Sequence, residues 1–261
     1  MYDRSPKGSG FNPLAALAVP AMVACTLFVP QKANATLMLS ADISGTLFTC
    51  VDNAACDSNP TVGILALGNN VVPTVINGVN VLGSISLSTG TASTPGIPLL
   101  SSSSLSVTNV SGATRTITVA VSDTNFVGPA NFFSSSGSGT FVGNPTGSMT
   151  LNYYDDPTNQ QGATSSTTTP GNLLDSFSYS VPGTSLASFS HNNSGALSSP
   201  DTGPFSLTEQ FSFVLQNGGA LVSRGQALNV SDVFEPASLS VLSVGLVGLG
   251  FIRRRRGQAM S

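Results

Sequence analysis

The sequence predicts an all-β protein built around a single antiparallel β-sandwich or jelly-roll-like domain. Between residues 36 and 232, apolar residues alternate with Ser, Thr or Asn in many short segments, turn-forming residues separate these segments, and no useful helical periodicity occurs. Only 8% of the 261 residues are charged, against about a quarter in ordinary domains. Ser and Thr number 40 and 25. This composition argues against a helical bundle, a coiled coil and an ordinary cytosolic enzyme.

Nine segments carry the strand pattern. In Phe205–Leu215 the apolar residues keep one parity, interrupted only by Glu209. The turn Asn217–Gly219 follows that segment, and it predicts a hairpin with the next strand. Two low-complexity stretches, Ser134–Thr140 and Gly162–Gly171, are predicted to be mobile loops. The predicted strands are Leu37–Phe48, Thr61–Leu67, Val79–Ser88, Leu105–Val110, Arg115–Ser122, Ser148–Tyr154, Ser176–Val181, Phe205–Leu215 and Ala220–Val230.

The N-terminus has the three parts of a secretory signal peptide. Arg4 and Lys7 supply a weakly positive start, Leu14–Pro30 is apolar, and Ala33 and Ala35 are the small residues that signal peptidase requires. The alternative is an uncleaved membrane anchor, but two prolines interrupt the apolar stretch, which is shorter than the roughly 20 residues of a membrane span. We therefore expect residues 1–35 to be removed and residues 36–232 to form the body.

The C-terminus has a tripartite tail over residues 233–261. Glu235-Pro236-Ala237-Ser238 comes first, a short apolar run over Leu239–Ile252 follows, and the basic block Arg253-Arg254-Arg255-Arg256 comes next. Four arginines stay on the cytoplasmic side of a membrane, so the body faces outward. The alternative is a buried strand or helix with a solvated basic tail. The tail resembles the PEP-CTERM sorting signal of Gram-negative bacteria, with Phe234 standing where the first proline of that motif belongs.

The resemblance implies an export and processing pathway for the protein. Glu235-Pro236 would be recognised and cut by an exosortase, while the short apolar run forms a transmembrane sorting helix in the inner membrane before processing. The mature chain would lie on the cell surface or outside the cell, in a bacterium that makes extracellular polysaccharide. The Phe234 departure is expected to slow cleavage.

Cys50 and Cys56 are the only cysteines outside the signal segment. A close pair in an exported chain predicts a local disulfide, because the periplasm is oxidising. The alternative is a metal or redox pair, but no histidine lies nearby and the spacing is not that of a C-x-x-C motif.

Candidate catalytic groups are few. His191 is the only histidine, and it lies in a polar segment that predicts a loop; no G-x-S-x-G motif surrounds any serine. Carboxylate pairs for glycoside hydrolysis would have to come from Asp155-Asp156, Glu209 or Asp123. Asp155-Asp156 precedes a proline, which is more typical of a solvated turn. We therefore predict no catalytic residues and no enzymatic activity.

Calcium is the one metal with candidate ligands. Asp52, Asn53, Asp57 and Asn59 could offer oxygen ligands around the cysteine loop, but they lack EF-hand or Gly-Asp repeat spacing. A polar turn is the favoured interpretation, so no metal and no cofactor are predicted.

The expected function is that of a non-enzymatic surface or extracellular-matrix protein associated with exopolysaccharide or biofilm. The alternative is a carbohydrate-binding module or adhesin with a discrete glycan ligand, although Trp is absent; of the adjacent Tyr153 and Tyr154, one would face outward from a strand and could make a weak glycan contact. From Thr36 to Glu235, two basic residues stand against eleven acidic ones. Such a body repels phosphate backbones, so nucleic acid is excluded as a partner. The expected partners are signal peptidase, an exosortase and extracellular polysaccharide.

Overall fold

The computed structural model describes residues 37–67, 74–82, 84–91, 97–143, 147–162, 169–181, 183 and 186–232. Within these ranges the chain forms fourteen β-strands and no helix, which confirms the predicted all-β class. The strands are β1 (Met38–Ile43), β2 (Thr46–Val51), β3 (Ile64–Leu67), β4 (Thr74–Ile76), β5 (Val79–Leu82), β6 (Ser84–Thr89), β7 (Leu99–Asn109), β8 (Arg115–Phe126), β9 (Ala130–Val142), β10 (Gly147–Asp156), β11 (Asn172–Val181), β12 (Leu186–Asp201), β13 (Phe205–Leu215) and β14 (Ala220–Ser231).

The strands make two sheets. One has six strands in the order β11-β10-β13-β8-β1-β2. The other has eight strands, with the path β12-β9-β14-β7-β5-β4, and β6 pairs with both β7 and β3 beside that path. Every described pairing is antiparallel, as predicted.

The inner faces of the two sheets meet in an apolar core. Phe211 and Phe213 of β13 belong to the six-stranded sheet, and their rings contact those of Phe189 and Phe141 in the other sheet at centroid distances of 5.8 and 6.0 Å. All four phenylalanines are buried. Burying such a side chain stabilises the fold by about 1.5–3 kcal/mol, so this cluster fixes the two sheets against each other.

Two segments predicted as loops are long strands. The stretch Ser134–Thr140 forms the middle of β9, and His191 lies within β12. The loop predictions were wrong because Ser and Gly are poor strand formers in isolation, whereas β9 here is paired on both sides, with β12 and with β14. Phe133 and Phe141, at the two ends of the serine-glycine stretch, both face the core and hold it in the sheet.

Two turns differ in what they connect. Asn77 and Gly78, with φ values of 47° and 73°, form the two-residue turn of the hairpin between β4 and β5. The predicted Asn217–Gly219 hairpin does not form, because β13 and β14 belong to different sheets and this turn carries the chain between them. The single predicted strand Leu37–Phe48 is divided by a turn at Ser44–Gly45, so its two halves pair with each other.

Candidate functional site

A polar cluster lies between the two sheets. Glu209 of β13 keeps the inward parity predicted for its strand and is fully buried. It accepts a hydrogen bond from Ser102 Oγ of β7 at 3.2 Å. Arg224 of β14 faces it from the other sheet, 1% exposed, with its guanidinium carbon 5.3 Å from the ring centroid of Phe211. Arg224 also donates a hydrogen bond to Gln226.

Burial dominates the electrostatics of this cluster. Burial raises the pKa of Glu209 to about 8, although the positive charge of Arg224 and hydrogen bonds from Ser102 and Leu228 act to lower it. Burial also lowers the pKa of Arg224, while the charge of Glu209 acts in the opposite direction. Glu209 Oε1 and Arg224 Nε and Nη1 have no hydrogen-bond partner among the described residues. Below about pH 8, therefore, Glu209 is mostly protonated.

Tyr153 of β10 connects this cluster to β9. It is fully buried, and its hydroxyl donates a hydrogen bond to the backbone oxygen of Ser136 at 2.6 Å. Burial, and then the negative charge of Glu209, raise the pKa of Tyr153 far above its usual range. The adjacent Tyr154 is partly exposed on the opposite face of the same strand, so Tyr153 is the tyrosine that faces inward.

A second polar contact joins the edge strands of the two sheets. Asp175 of β11 accepts hydrogen bonds from Ser135 Oγ at 2.5 Å and Asn193 Nδ2 at 2.9 Å, and its Oδ2 lies 2.7 Å from His191 Nε2. Burial tends to raise the pKa of Asp175, but these three contacts outweigh it and the pKa is lowered. The ring of Phe177 stacks on the imidazole of His191 at a centroid distance of 4.5 Å. Asp175 is therefore an ionised anchor for β9 and β12.

The outer face of the eight-stranded sheet carries a groove of about 360 Å³. Four neighbouring strands, β12, β9, β14 and β7, contribute three consecutive residues each. Neighbouring strands lie about 4.8 Å apart and three residues extend about 7 Å along a strand, so the groove is about 14 Å long across the strands and narrower along them. The lining residues are Ser101, Ser102, Ser103, Ser136, Gly137, Ser138, Ser190, His191, Asn192, Gly225, Gln226 and Ala227.

Serine hydroxyls line the groove in register. Ser138 of β9 is paired with Ser190 of β12 on one side and with Gly225 of β14 on the other, and Gly225 is paired in turn with Ser103 of β7. Ser103, Ser138 and Ser190 are exposed. Two ionisable groups of these strands lie close to the groove, Arg224 and His191, and both are bonded to partners within the protein. The groove therefore offers hydroxyls and backbone without an exposed charge.

The polar contacts between the two sheets hold the strands of this groove in place from the core side. Each of its four strands has a bond to the six-stranded sheet close to the groove. For β7, β9 and β12 these are the Ser102–Glu209, Ser136–Tyr153 and His191–Asp175 contacts described above. For β14, Gln226 Nε2 donates to the backbone oxygen of Gln210 at 3.5 Å. The groove floor is thus fixed before any ligand arrives.

Gly137 and Gly225, which both line the groove, have opposite roles in packing. A Cβ on Gly137 would point into the core, 2.3 Å from Leu151 Cδ1 and 2.9 Å from the Tyr153 hydroxyl. A Cβ on Gly225 would have one neighbour within 4 Å, Ser138 Oγ at 3.8 Å. Gly137 permits the close packing of the two sheets, whereas Gly225 leaves the groove open.

The candidate catalytic residues do not come together. His191 is held by Asp175, but Ser135 bonds to that carboxylate and not to the imidazole, so no Ser-His-Asp chain is formed among the described residues. Glu209 lies in the polar cluster between the sheets, and Asp123 is fully buried near the C-terminal end of β8.

Asp155 and Asp156 were wrongly predicted to form a solvated turn. They are 2% and 4% exposed, at the end of β10. Asp156 does organise the following turn, because it accepts hydrogen bonds from the backbone nitrogens of Thr158 and Gln160, both at 2.9 Å. Burial, and then the negative charge of Asp201, raise the pKa of Asp155.

The predicted disulfide between Cys50 and Cys56 is present, with its Cα atoms 5.8 Å apart. The nearby calcium candidates are used within the loop. Asp57 accepts bonds from the backbone nitrogens of Asn53 and Asn59, both at 2.9 Å, and Asp52 accepts one from Gly63 at 2.7 Å. In the described part of the chain, no three His, Cys, Asp or Glu side chains are grouped in a way that could hold a metal ion.

The predicted targeting residues lie outside the described residues. These are the signal-cleavage residues Ala33 and Ala35, the sorting motif Glu235–Ser238 and the basic block Arg253–Arg256. Over the ranges that the structure does describe, no helix has the length and hydropathy needed to cross a membrane.

Sequence reasoning missed Ser138, Arg224 and Asp175 as site residues. One signal was available for β9: Phe133, Gly137 and Phe141 share a parity, so the intervening Ser136 and Ser138 had to face outward. Arg224 could also have been singled out, because it is one of two basic residues in the body. Nothing in the sequence indicates that Asp175 meets His191.

Comparison with known proteins identifies no family. No family model matches the chain, and no curated protein matches it. Among solved structures, TmCBM61 in complex with beta-1,4-galactotriose is 8% identical, with a TM-score of 0.27 over 57% of this chain and 81% of that chain. The enzymatically active domain of bacteriophage CBA120 tailspike protein 4 is 12% identical, with a TM-score of 0.25 over 63% of this chain and 23% of that chain. Both scores are too low to support an inference about this chain.

Proposed function

We propose that the protein is an exported, non-enzymatic surface or extracellular protein whose β-sandwich body binds a neutral polysaccharide in the groove across β12, β9, β14 and β7. The observation that carries the proposal is the groove itself: its outward-facing side chains are serine hydroxyls and one asparagine, with Gly225 and Ala227 between them. Of the two functions considered for the sequence, this favours a discrete glycan ligand.

The chemistry of the groove suits a sugar chain. Each serine hydroxyl both donates and accepts hydrogen bonds, as sugar hydroxyls do. A charged ligand would meet no opposite charge in the groove, because the guanidinium of Arg224 lies on the core side over Phe211 and is bonded to Gln226. An apolar ligand would leave the serines without partners, which costs free energy. A neutral, hydroxyl-rich polymer satisfies both conditions.

The rigidity of the groove also supports binding. Buried and partly buried polar contacts hold all four groove strands to the opposite sheet. A site that is fixed beforehand loses little conformational entropy on binding. This helps to offset the absence of tryptophan, whose ring would otherwise provide much of the contact area for a sugar.

A structural role for the dyad of Asp175 and His191 favours the non-enzymatic part of the proposal. Asp175 holds the Nε2 atom of His191, and the ring is covered by Phe177. A general base also needs its other ring nitrogen within hydrogen-bond reach of a nucleophile, and no serine among the described residues is bonded to this imidazole. In this arrangement the pair joins the edges of the two sheets.

Export remains part of the proposal. The Cys50–Cys56 disulfide is what an oxidising compartment favours. Residues 1–35 would act as the signal peptide, and the PEP-CTERM-like tail over residues 233–261 would hold the precursor at the inner membrane until an exosortase cuts it. The groove would then face extracellular polysaccharide, on the cell surface or after release.

A glycan array tests the binding function. The full chain, purified after export from a Gram-negative host, is applied to neutral, acidic and sulfated glycans. We expect saturable binding to one class of neutral polysaccharide. Absence of saturable binding, or binding confined to charged glycans, would contradict the proposal.

A further inference from the structure

A recess of about 470 Å³ adjoins the groove on the same outer face of the eight-stranded sheet. It is lined by Ser103, Ser138, Ser223, Arg224 and Gly225. Three of these residues, Ser103, Ser138 and Gly225, also line the groove, so the two spaces share a boundary. The recess is therefore a side branch of the groove. It opens at Gly225 toward any polysaccharide chain that lies in the groove.

An irregularity in β14 shapes this recess. The pairing of β14 with β9 passes from Val222–Thr140 directly to Gly225–Ser138, so that Ser223 and Arg224 both lie opposite Gly139. The pairing of β14 with β7 shifts at the same place. Such a bulge inserts an extra residue and bends the strand. Ser223, with a φ of 55°, is exposed at the bulge.

The recess presents hydroxyls and no free charge. Ser103, Ser138 and Ser223 are exposed, whereas Arg224 is 1% exposed and its guanidinium lies over Phe211. At Gly225 the junction is open, since an added Cβ would have Ser138 Oγ, at 3.8 Å, as its one neighbour within 4 Å. The recess volume lies within the range of about 300–1,000 Å³ that is usual for small-molecule sites.

We propose that this recess receives a branch sugar of a neutral polysaccharide whose main chain lies in the groove, so that the site selects branched over linear glycans. This inference rests on the proposed function. The main chain would run across the strands, and the branch would leave it at Gly225 and enter the recess toward Ser223. A linear chain would fill the groove and leave the recess to water.

Two matched pairs of oligosaccharides test the inference by calorimetry on the full chain. One pair is linear mannohexaose and the same chain with single galactosyl branches; the other is cellohexaose and a xyloglucan oligosaccharide on the same backbone. We expect the branched member of a binding pair to bind about tenfold more tightly, a difference of about 1.4 kcal/mol. Equal or tighter binding of the linear member would overturn the inference, and so would binding of no member.

A variant of Ser223 tests whether the preference for branched glycans arises in the recess. Ser223→His narrows it with a residue that tolerates a positive φ, and Ser134→His, at an exposed position of β9 that lines neither the recess nor the groove, is the control. Ser223→His should remove the branched advantage, whereas Ser134→His should retain it. A branched advantage that survives Ser223→His overturns the inference. The glycan array tests the proposed function separately, since saturable binding there without a branched preference leaves that function standing.

Discussion

Replacement of Glu209 by glutamine should change how the stability of the domain depends on pH. Glu209 is fully buried, and its pKa is raised from 4.5 to about 8. A carboxyl group whose folded pKa is raised keeps its proton in the folded state after the unfolded chain has lost it. Its contribution to stability is therefore fully present below about pH 4.5 and is lost as the pH rises through about 8.

The size of this loss of stability follows from the pKa shift of Glu209. Each pKa unit corresponds to about 1.36 kcal/mol, so Glu209 should cost the wild type about 4 kcal/mol of unfolding free energy at pH 8 relative to pH 4.5. Glutamine resembles the protonated acid in shape and does not titrate, so it removes this loss. Asp155 has a raised pKa too, but it contributes equally to both proteins.

Urea unfolding at about pH 5 and pH 8 measures the difference. The free energy of Glu209→Gln minus that of the wild type should be larger at pH 8 by about 4 kcal/mol. Any constant cost of the substitution cancels in this comparison. A difference that is the same at both pH values would show that Glu209 is ionised in the folded protein, and the account of the polar cluster would be wrong.

Three further predictions concern the glycines, the disulfide and the tail. Gly137→Ala should lower the free energy of unfolding by about 1–3 kcal/mol because its Cβ meets the core. Gly225→Ala should leave the free energy of unfolding unchanged or raise it by up to about 1 kcal/mol. Equal unfolding free energies of the two variants would contradict the packing described. Mass spectrometry of non-reduced peptides should recover Cys50 and Cys56 linked, and their joint replacement by alanine should lower stability by about 2 kcal/mol; two free thiols in the exported protein would refute this. The mature protein should lack most of residues 233–261 by intact mass, and retention of the four arginines would identify the tail as an anchor.

The strands that could be predicted are those with a strong apolar pattern. Phe205–Leu215 was predicted with the bounds of β13, because its phenylalanines and leucines all lie at every second position, although Glu209 and Val214 depart from the apolar–polar alternation. Glu209 lies at the same parity, and the structure buries it with these side chains. A large apolar side chain at every second position leaves one face buried, and this fixes both the strand and its orientation.

The strands that were missed are those in which the pattern is made by small residues. Between Phe133 and Phe141, β9 alternates Ser with Ser or Gly, so this stretch itself shows little difference in hydropathy between its two faces. Its position is fixed by pairing with β12 and β14, which are far away in sequence. Long-range pairing of this kind is not encoded in any local window.

The same reason explains why the groove was not predicted. It is lined mostly by serines and glycines that become neighbours when β7, β9, β12 and β14 align. The failed hairpin at Asn217–Gly219 has a related cause, since a turn sequence specifies a change of direction but not the sheet to which the next strand belongs. The disulfide could be predicted because its two cysteines are close in sequence and no others remain.

The most direct test of the account compares two phenylalanine variants on the same face of the same strand. Ser138→Phe places a ring in the groove, whereas Ser134→Phe places one four residues away, at an exposed position of β9 that does not line the groove. Both are measured by calorimetry against the neutral polysaccharide selected on the array. We expect Ser134→Phe to bind like the wild type and Ser138→Phe to bind at least about tenfold more weakly, a loss of about 1.4 kcal/mol. Equal affinities for the two variants would show that the polysaccharide does not bind in the groove.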